Sequence, residues 1–511
     1  MRQLVLILDF GSQYTQLIAR KIRALNVYCE IVPYSVKLET ILEKRPQALI
    51  LSGSPSGVNS ADAPMPSSEI WQTGIPILGI CYGLQLMVRQ FGGKIRQAGR
   101  HEYGRALLEI DFPDELFADL PNSFQVWMSH GDEAEEIPED FVRLAHTANT
   151  NYAAIKHKSL PLYALQFHPE VAHSDYGSEI FANFLFRIAH LQADWTSSAF
   201  ITDTVNHVRM RVGDKKVILG LSGGVDSSVA AVLLHKAIGN QLLPVFIDTG
   251  LLRKNEVQQV SAMFSHLPDF KFEIINAEDE FLSRLKGVTD PEAKRKIIGK
   301  TFIEIFEKYA EAHSDVVFLA QGTLYPDVIE SVSLKGPSAT IKSHHNVGGL
   351  PSKMNLQLIE PLRELFKDEV RAVGTELGLP NELINRHPFP GPGLAVRIIG
   401  EVTKEKVKLL QDIDDIFISE LRAWKLYDQT WQAFAVLLPV QSVGVMGDAR
   451  TYNNVCALRA VNSQDGMTAD WTEFPSAFLR VVSNRIINEV HGVNRVVYDI
   501  SSKPPATIEW E

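Results

Sequence analysis

The sequence predicts an α/β protein with two successive open, twisted-sheet α/β domains and a smaller α+β domain at the C-terminal end. Short apolar runs alternate with amphipathic stretches from residue 4 to residue 190, and the alternation restarts at Lys216. This alternation is typical of parallel strands joined by helices. The length of 511 residues also exceeds what one core usually holds, because domains run to about 100–200 residues each.

The first domain is predicted to span residues 1–194. Its candidate strands are LVLIL, ALILSG and IPILGI, and YTQLIARKIRAL is a candidate helix. The opening MRQLVLILDFGSQ is interpreted as a first strand, because its apolar run ends at Asp9 and no small-residue cleavage pattern follows. The stretch around Trp195 is predicted to link this domain to the next.

The second and third domains are predicted to span residues 195–387 and 388–511. The second has the candidate strands KVILGL, LLPVFID and VVFLAQG. We place the boundary at HPFPGPG, residues 387–393, because its prolines and glycines cannot continue a helix. The third combines two amphipathic helices with the strand-like runs FAVLLPV and VNRVVYDI, which predicts an α+β domain.

Composition argues against several classes of protein. The formal net charge of -11 disfavours broad nucleic-acid binding, which needs a basic surface. No apolar run approaches the roughly 20 residues of a membrane span. Cys29, Cys81 and Cys456 form no CxxC pair and leave an odd thiol, so we expect neither a zinc site nor a disulfide framework. A cytoplasmic protein without nucleic-acid or membrane partners fits best.

A cysteine lies at a predicted turn from strand to helix. In PILGICYGLQLMV, the glycines on either side of Cys81 permit a sharp turn like a nucleophile elbow. The positive end of the following helix would favour the thiolate. The alternative, which this pattern alone leaves open, is that Cys81 is a small core residue.

A histidine and a glutamate follow later in YALQFHPE. We predict a strand here, on which His168 and Glu170 share one face, so that the carboxylate can orient the imidazole. Together the cysteine turn and FHPE resemble class I glutamine amidotransferases. The resemblance implies that Cys81, His168 and Glu170 hydrolyse glutamine through a glutamyl thioester, releasing ammonia and glutamate.

The acyl-transfer intermediate of such a reaction needs N–H donors for its oxyanion. The candidates are the backbone N–H of Tyr82 and the loop SGSP at residues 52–55, with Ser54 as the donor. This loop departs from the GGP that is usual in the family. Ser54 can serve there only if its backbone does not need a positive φ.

A second strand-to-helix turn is rich in serine and glycine. In KVILGLSGGVDSSVAAVLL, backbone and hydroxyl donors converge at a helix N-terminus, which is typical of a phosphate site. The motif matches neither GxGxxG nor the lysine-containing Walker loop, and plain helix capping is the alternative. It resembles the SGGxDS loop of N-type ATP pyrophosphatases. The resemblance implies ATP binding by Ser222, Gly223, Gly224, Val225, Asp226, Ser227 and Ser228, with Asp226 organising Mg²⁺.

The order of these two sites, followed by VVYDISSKPPATIEWE, resembles the GMP synthetase family along nearly the whole chain. Other matches are VWMSHGD, VTDPEAKRKIIG, AQGTLYPDVIES and RHPFPGPGLAVR. Asparagine synthetases use an N-terminal cysteine, whereas Arg2 follows Met1 here, and glutamine-using NAD synthetases take ammonia from a nitrilase-like domain. In IKSHHNVGGLP, which resembles a substrate-covering loop, we interpret His344 and His345 as polar loop residues, because neighbouring histidines chelate poorly.

The family resemblance also implies the substrates and the assembly. ATP would adenylate the C2 oxygen of xanthosine 5′-monophosphate (XMP), and ammonia from glutamine would displace AMP to form GMP. The C-terminal domain would form a homodimer with C2 symmetry. The residues implied in XMP binding are Arg495, Lys503, Thr507, Ile508 and Glu509.

Three alternatives remain open from the sequence. The enzyme could act by the same chemistry on a different carbonyl acceptor. The chain could be a non-catalytic nucleotide-binding protein descended from such an enzyme. The segment KPPATIEWE could be a frayed, solvated terminus rather than a binding element.

Overall fold

The computed structural model of this chain describes residues 2–265, 267–313, 315–332, 356–446, 449–463 and 468–511. His344 and His345, predicted as loop residues, lie outside the described residues. The described chain divides into two compact units, residues 2–200 with 326–332, and residues 201–325 with 356–511. No helix within these ranges is both long enough and apolar enough to cross a membrane.

The first unit contains a nine-stranded sheet in the order β2-β1-β3-β4-β9-β8-β7-β5-β6. Its strands are β1 (Val5–Asp9), β2 (Cys29–Pro33), β3 (Ala48–Leu51), β4 (Ile77–Ile80), β5 (Lys94–Ile110), β6 (Ser123–Glu136), β7 (Phe141–His146), β8 (Ala154–His157) and β9 (Leu162–Leu165). The part from β2 to β9 is parallel, as predicted. The part from β8 to β6 extends the sheet with antiparallel strands, which the sequence pattern did not predict.

Burial explains why these two parts have different sequence patterns. β1 and β3 are almost continuous apolar runs because parallel strands are covered on both faces, and Val5–Leu8 and Ala48–Leu51 are fully buried. In β6, buried and partly exposed residues alternate, as expected where one face packs and the other meets solvent. The α-helices between residues 2 and 196 are α1 (Thr15–Ala24), α2 (Leu38–Lys44), α3 (Tyr82–Gln90) and α4 (Gly177–Ala182), and α4 continues as a π-helix over Asn183–Ile188.

The second unit contains a parallel five-stranded sheet in the order β12-β11-β10-β13-β14. Its strands are β10 (Lys216–Gly220), β11 (Leu242–Asp248), β12 (Glu273–Asn276), β13 (Val316–Ala320) and β14 (Gln357–Ile359). The helices that follow α4 in this stretch of the chain are α5 (Ser197–Val212), α6 (Val225–Ile238), α7 (Glu256–Phe264), α8 (Glu278–Leu285), α9 (Pro291–Ala312), α10 (Tyr325–Val332), α11 (Lys367–Glu376) and α12 (Asn381–Ile384). This is the predicted second α/β sheet.

The C-terminal part of the second unit is α+β, which confirms the predicted class. Helices α13 (Lys404–Ala423) and α14 (Ser476–Glu489) accompany a third sheet, whose strands are β15 (Gln432–Met446), β16 (Ala449–Asn462), β17 (Asp470–Trp471) and β18 (Val493–Asp499). β15 and β17 pair antiparallel with β16, and β18 pairs parallel with it.

One hydrophobic core joins the parallel sheet and the α+β part. Ile218 and Val245 from the parallel sheet are fully buried in the same cluster as Phe417 and Phe478 from α13 and α14. Packing therefore continues across residue 387, and the domain boundary placed there stays a prediction.

Candidate active site

Cys81 lies at the sharp turn between β4 and α3. Its backbone has φ +54° and ψ -99°, a region that side-chain-bearing residues rarely adopt. The turn is held by the Cys81 amide, which donates to the carbonyl of Leu165 at 2.6 Å, while the Cys81 carbonyl accepts from Leu84 at 3.0 Å. Such strain at a turn that exposes one side chain to a helix N-terminus is typical of a nucleophile elbow.

The two glycines of this turn are needed for close packing. A Cβ at Gly79 would lie 2.6 Å from the backbone of Gly83, and a Cβ at Gly83 would lie 2.8 Å from the carbonyl oxygen of Leu51. No heavy atom fits at those distances, so the first turn of α3 can lie directly on β3 and β4 only with glycine at both positions.

His168 and Glu170 form a buried pair beside the cysteine turn. Nδ1 of His168 lies 2.7 Å from Oε1 of Glu170, and both residues are almost completely inaccessible to solvent. The His168 amide donates to the carbonyl of Trp127, and Ser174 donates to the His168 carbonyl at 2.6 Å. The predicted strand is wrong here, because β9 ends at Leu165 and His168 and Glu170 follow in a turn. Local turn geometry, rather than a shared strand face, brings the two side chains together.

The environment of His168 favours its protonated form. Burial lowers its pKa, but the charges of Glu170 and Cys81, and hydrogen bonds to both, raise it, and the net result is a pKa well above the usual range of an imidazole. A protonated imidazole between a carboxylate and a sulfur can stabilise a thiolate and donate a proton to a leaving group.

The two predicted oxyanion donors are the backbone N–H groups of Tyr82, at the start of a helix, and of Ser54, in a loop. Tyr82 is the first residue of α3, so its backbone N–H has no acceptor within the helix. Gly53 lies beside His168, since a Cβ there would be 3.4 Å from Cε1 of that histidine. Ser54 is not among the described residues with a positive φ, so serine fits its backbone, and its hydroxyl accepts from the amide of Ser56 at 3.1 Å.

The serine-glycine loop, residues 222–228, connects β10 to α6. Gly223 has φ +72°, and Gly224 caps α6 without a side-chain hydrogen bond, which leaves the first N–H groups of the helix available to an anion. The hydroxyls of Ser222 and Ser227 lie 2.9 Å apart and brace the loop. Ser228 is fully buried, and its hydroxyl has no hydrogen-bond partner among the described residues.

Asp226 is paired with Lys367, a residue that the sequence analysis missed. Nζ of Lys367 lies 2.6 Å from both carboxylate oxygens of Asp226. No group of three or more potential metal ligands occurs among the described histidines, cysteines, aspartates and glutamates. Mg²⁺ in nucleotide sites is usually held by one or two carboxylates together with phosphate oxygens. The single carboxylate of Asp226 therefore fits a metal that arrives with the phosphates of a nucleotide.

Arg386 is hydrogen-bonded to the same loop. It donates to the carbonyl of Gly223 at 2.7 Å and to the carboxylate of the buried Glu256 at 2.6 Å. Arg386 directly precedes the HPFPGPG segment, and that position was the only available signal for it in the sequence. The arginine therefore links the serine-glycine loop to Glu256 at the start of α7 and restrains the Gly223 backbone.

The tail, residues 500–511, is packed rather than frayed. The fully buried Arg459 donates to the carbonyls of Ser501, Thr507 and Ile508. The fully buried Arg397 makes two hydrogen bonds, of 3.1 and 2.8 Å, to the carboxylate of Glu509. A frayed terminus would not enclose two arginines, so that alternative is wrong.

The other residues implied in nucleotide binding lie on or near this tail. Ile508 packs against a buried cluster that includes Phe434. The Thr507 hydroxyl donates to the carbonyl of Glu509, and the backbone of Lys503 pairs with Ala469. Arg495 lies on β18 opposite Val455, with its side chain exposed.

Three protein-family models match this chain, and the first two follow one another in the same order as the cysteine turn and the serine-glycine loop. The model of the class-I glutamine amidotransferase family matches residues 6–188, the NAD synthase model matches residues 196–298, and the model of the GMP synthase C-terminal domain matches residues 419–510. The first match contains the cysteine turn, and the second contains the serine-glycine loop.

Curated relatives match from end to end. The glutamine-hydrolyzing GMP synthases of Pelodictyon phaeoclathratiforme and Chlorobaculum tepidum are each 58% identical to this chain. Both alignments include 100% of this chain, and they include 100% of the first relative and 99% of the second. That of Brachyspira hyodysenteriae is 57% identical, with 99% of both chains covered. On this full-length similarity, the chain belongs to the family of glutamine-hydrolyzing GMP synthases.

Proposed function

We propose that this chain synthesises GMP from XMP, using glutamine as nitrogen donor and ATP as activating substrate. The observation that carries the proposal is the presence, in one chain with full-length synthase relatives, of a strained cysteine turn beside the buried His168–Glu170 pair. The serine-glycine loop supplies the second activity that such a reaction needs.

In the glutamine half, the Cys81 sulfur attacks the side-chain carboxamide carbon. A carbon–sulfur bond forms, and the carbonyl electron pair moves to oxygen, where the backbone N–H groups of Tyr82 and Ser54 receive it. His168 donates its proton to the nitrogen as ammonia leaves, and a thioester remains. His168 then takes a proton from water, which attacks the thioester to release glutamate and regenerate the sulfur. Glu170 keeps the imidazole oriented.

In the ATP half, the C2 oxygen of XMP attacks the α-phosphorus of ATP, and pyrophosphate leaves. The uncapped N–H groups of α6 and the hydroxyls of Ser222 and Ser227 can bind the phosphate oxygens. Ammonia then attacks C2, and AMP leaves with the former C2 oxygen. Lys367 is hydrogen-bonded to Asp226, so it can add a positive charge at the serine-glycine loop.

Mg²⁺, when bound together with ATP, supplies charge neutralisation on the phosphates. We propose Asp226 as its protein ligand, since its carboxylate is the acidic group within the serine-glycine loop. Lys367 would then exchange its contact with Asp226 for a contact with the phosphates.

For XMP we propose the tail residues Lys503, Thr507, Ile508 and Glu509, together with Arg495. Their support is the family relationship and the rigidity that Arg397 and Arg459 impose on the tail. A cationic Lys503 suits the nucleotide phosphate, and Glu509 retains acceptor capacity for a purine N–H beyond its bonds to Arg397 and Gln432.

Replacing Lys503→Met should weaken XMP binding with little effect on ATP. Losing a charge-assisted hydrogen bond typically costs about 1.5–3 kcal/mol, so we expect the KM for XMP to rise roughly tenfold or more. Steady-state kinetics with each substrate varied in turn would measure this. Lys308→Met, at an exposed lysine of α9, is the matched control, and equal KM values for XMP in both variants would remove Lys503 from the site.

We propose a C2 homodimer formed through the C-terminal sheet. Val443 and Val445 share one face of β15 with Tyr452 of β16, and all three are strongly exposed in the single chain, Val445 to 76%. A solvent-facing cluster of this kind is typical of a self-complementary interface.

The Val445→Asp variant should separate the dimer. A buried, unpaired carboxylate in each copy of an isologous interface is costly, because symmetry introduces it twice. Sedimentation at micromolar concentration should show about twice the chain mass of 57.1 kDa for the unaltered protein and a single chain for the variant. Leu107→Asp changes another strongly exposed apolar residue, which lies in the first unit, and should leave the assembly intact. Dimers that persist in Val445→Asp would place the interface elsewhere.

The overall function is tested with Mg-ATP, XMP and either glutamine or ammonium, following GMP and pyrophosphate together. Equal formation of both products from either nitrogen source supports the proposal. Pyrophosphate release only with another carbonyl acceptor would keep the chemistry but change the substrate. Binding of nucleotide without turnover would favour a non-catalytic protein.

The domain boundaries and the compartment are also proposals. Domains at 1–194, 195–387 and 388–511 agree in order with the three family matches, which start at residues 6, 196 and 419. A cytoplasmic location is supported by the three buried cysteines, none of which forms a disulfide within the described residues.

A further inference from the structure

Gln166 directs its side-chain amide at the sulfur of Cys81. Nε2 of Gln166 lies 3.7 Å from Sγ of Cys81, within hydrogen-bonding distance for sulfur, and Gln166 is fully buried. On another side, Sγ lies 3.7 Å from the carbonyl of Ser129 in β6. The sulfur therefore has one neutral donor and one neutral acceptor in addition to His168.

The backbone around Gln166 fixes this contact. The Gln166 amide donates to the carbonyl of Ala153 at 2.8 Å, and the carbonyl of the preceding Leu165 holds the Cys81 amide at 2.6 Å. The chain segment that carries Gln166 is thus bonded directly to the residue it contacts. Movement of either residue would move the other.

The side-chain carbonyl oxygen of Gln166 indicates why the amide group has this orientation. Oε1 of Gln166 is buried and has no hydrogen-bond partner in the described part of the chain, which lowers stability. Reversing the amide would place the carbonyl oxygen against the sulfur and repel a thiolate. An amide kept in this position at a cost to stability is typical of a functional site.

We infer that Gln166 is a further catalytic residue of the glutamine-hydrolysing site, whose Nε2–H donates to the Cys81 sulfur and stabilises the thiolate. The inference rests on the proposed role of Cys81 as the nucleophile. As the carbon–sulfur bond forms, negative charge leaves the sulfur for the carboxamide oxygen, and the bond from Gln166 weakens. When water cleaves the thioester, the thiolate returns and the bond forms again.

The test is the rate of Cys81 alkylation by iodoacetamide as a function of pH, because this reagent reacts with the thiolate. In Gln166→Met the midpoint of the profile should move up by about one pH unit, the usual effect of losing a hydrogen bond to a charged group. Glutamine hydrolysis below that midpoint should slow roughly threefold, because about tenfold fewer thiolates are partly offset by the greater nucleophilicity of each one. The groups that act on the sulfur are otherwise unchanged: His168 with Glu170 behind it, the Ser129 carbonyl and the N-terminus of α3. Ammonia-supported GMP synthesis should be unaltered.

Two further variants make the outcome decisive. Gln166→Asn keeps a polar amide but withdraws it from the sulfur, so it should show the same shift even if Gln166→Met folds poorly. Gln47→Met removes a distant glutamine that bonds to the Leu4 amide and should leave the profile unchanged. An unshifted alkylation profile in the folded Gln166 variants would overturn the inference. Continued glutamine hydrolysis by Cys81→Ala would instead overturn the proposed nucleophile.

Discussion

The Cys81→Ala variant should lose glutamine-supported GMP synthesis and retain synthesis from ammonium. Alanine removes the attacking sulfur, and removal of the nucleophile from an acyl-transfer triad typically costs a factor on the order of 10⁴ or more. We assign adenylation of XMP to the serine-glycine loop, which lies in the other compact unit, so this step should not need the sulfur. Initial rates of GMP formation with saturating glutamine and with ammonium, measured on the same preparation, give both numbers.

Cys29→Ala is the matched control for this experiment. Cys29 is also a buried cysteine of the first unit, and its sulfur lies 3.6 Å from the carbonyl of Ala19, within the packing of α1 against β2. Its removal should leave both rates nearly unchanged. If Cys81→Ala lowered both rates equally, the two activities would not be separable, and the assignment of Cys81 to the glutamine half would be rejected.

The Asp226→Ala variant should impair synthesis from both nitrogen sources. Ammonia is used only after XMP has been adenylated, so a defect in ATP activation affects each route. We expect the rate to fall by a factor on the order of 10²–10³, the range found when one group that stabilises a charged transition state is removed. Pyrophosphate release with glutamine and with ammonium should fall by the same factor, and Mg²⁺ titration should show that the variant needs more metal for half-maximal rate.

Asp214→Ala provides the comparison for Asp226. Asp214 is an exposed aspartate of the same unit, paired only with its neighbour Lys215 in the described contacts. Its loss should change neither rate, because an exposed pair contributes little. A normal ammonia-supported rate in Asp226→Ala would contradict the placement of ATP activation at this loop.

Local patterns in the sequence were sufficient to predict the two strand-to-helix turns. At the cysteine turn, the glycines two residues before and after Cys81 are required by contacts of 2.6 and 2.8 Å, and at the serine-glycine loop the uncapped N-terminus of α6 follows from the residues themselves. Turn geometry depends on a few consecutive residues, so it can be inferred without knowing the rest of the fold. The strand predicted to carry His168 is wrong because β9 already ends at Leu165. The residues after it bond to other parts of the fold, as the His168 amide does to the carbonyl of Trp127, and these distant contacts are not visible in the local pattern.

What the sequence by itself determined is the α/β class and the order of the two strand-to-helix turns, and it supplied the candidates for the reacting side chains. What only the tertiary structure decided is which distant groups support them. Lys367 meets Asp226 across 141 positions of the chain, Arg397 meets Glu509 across 112, and Gln166 meets Cys81 across 85. Propensity and periodicity describe neighbours along a helix or a strand, whereas these contacts depend on strand order and on the packing of loops against it. A buried arginine or glutamine therefore looks like any other polar residue until the fold shows what it touches.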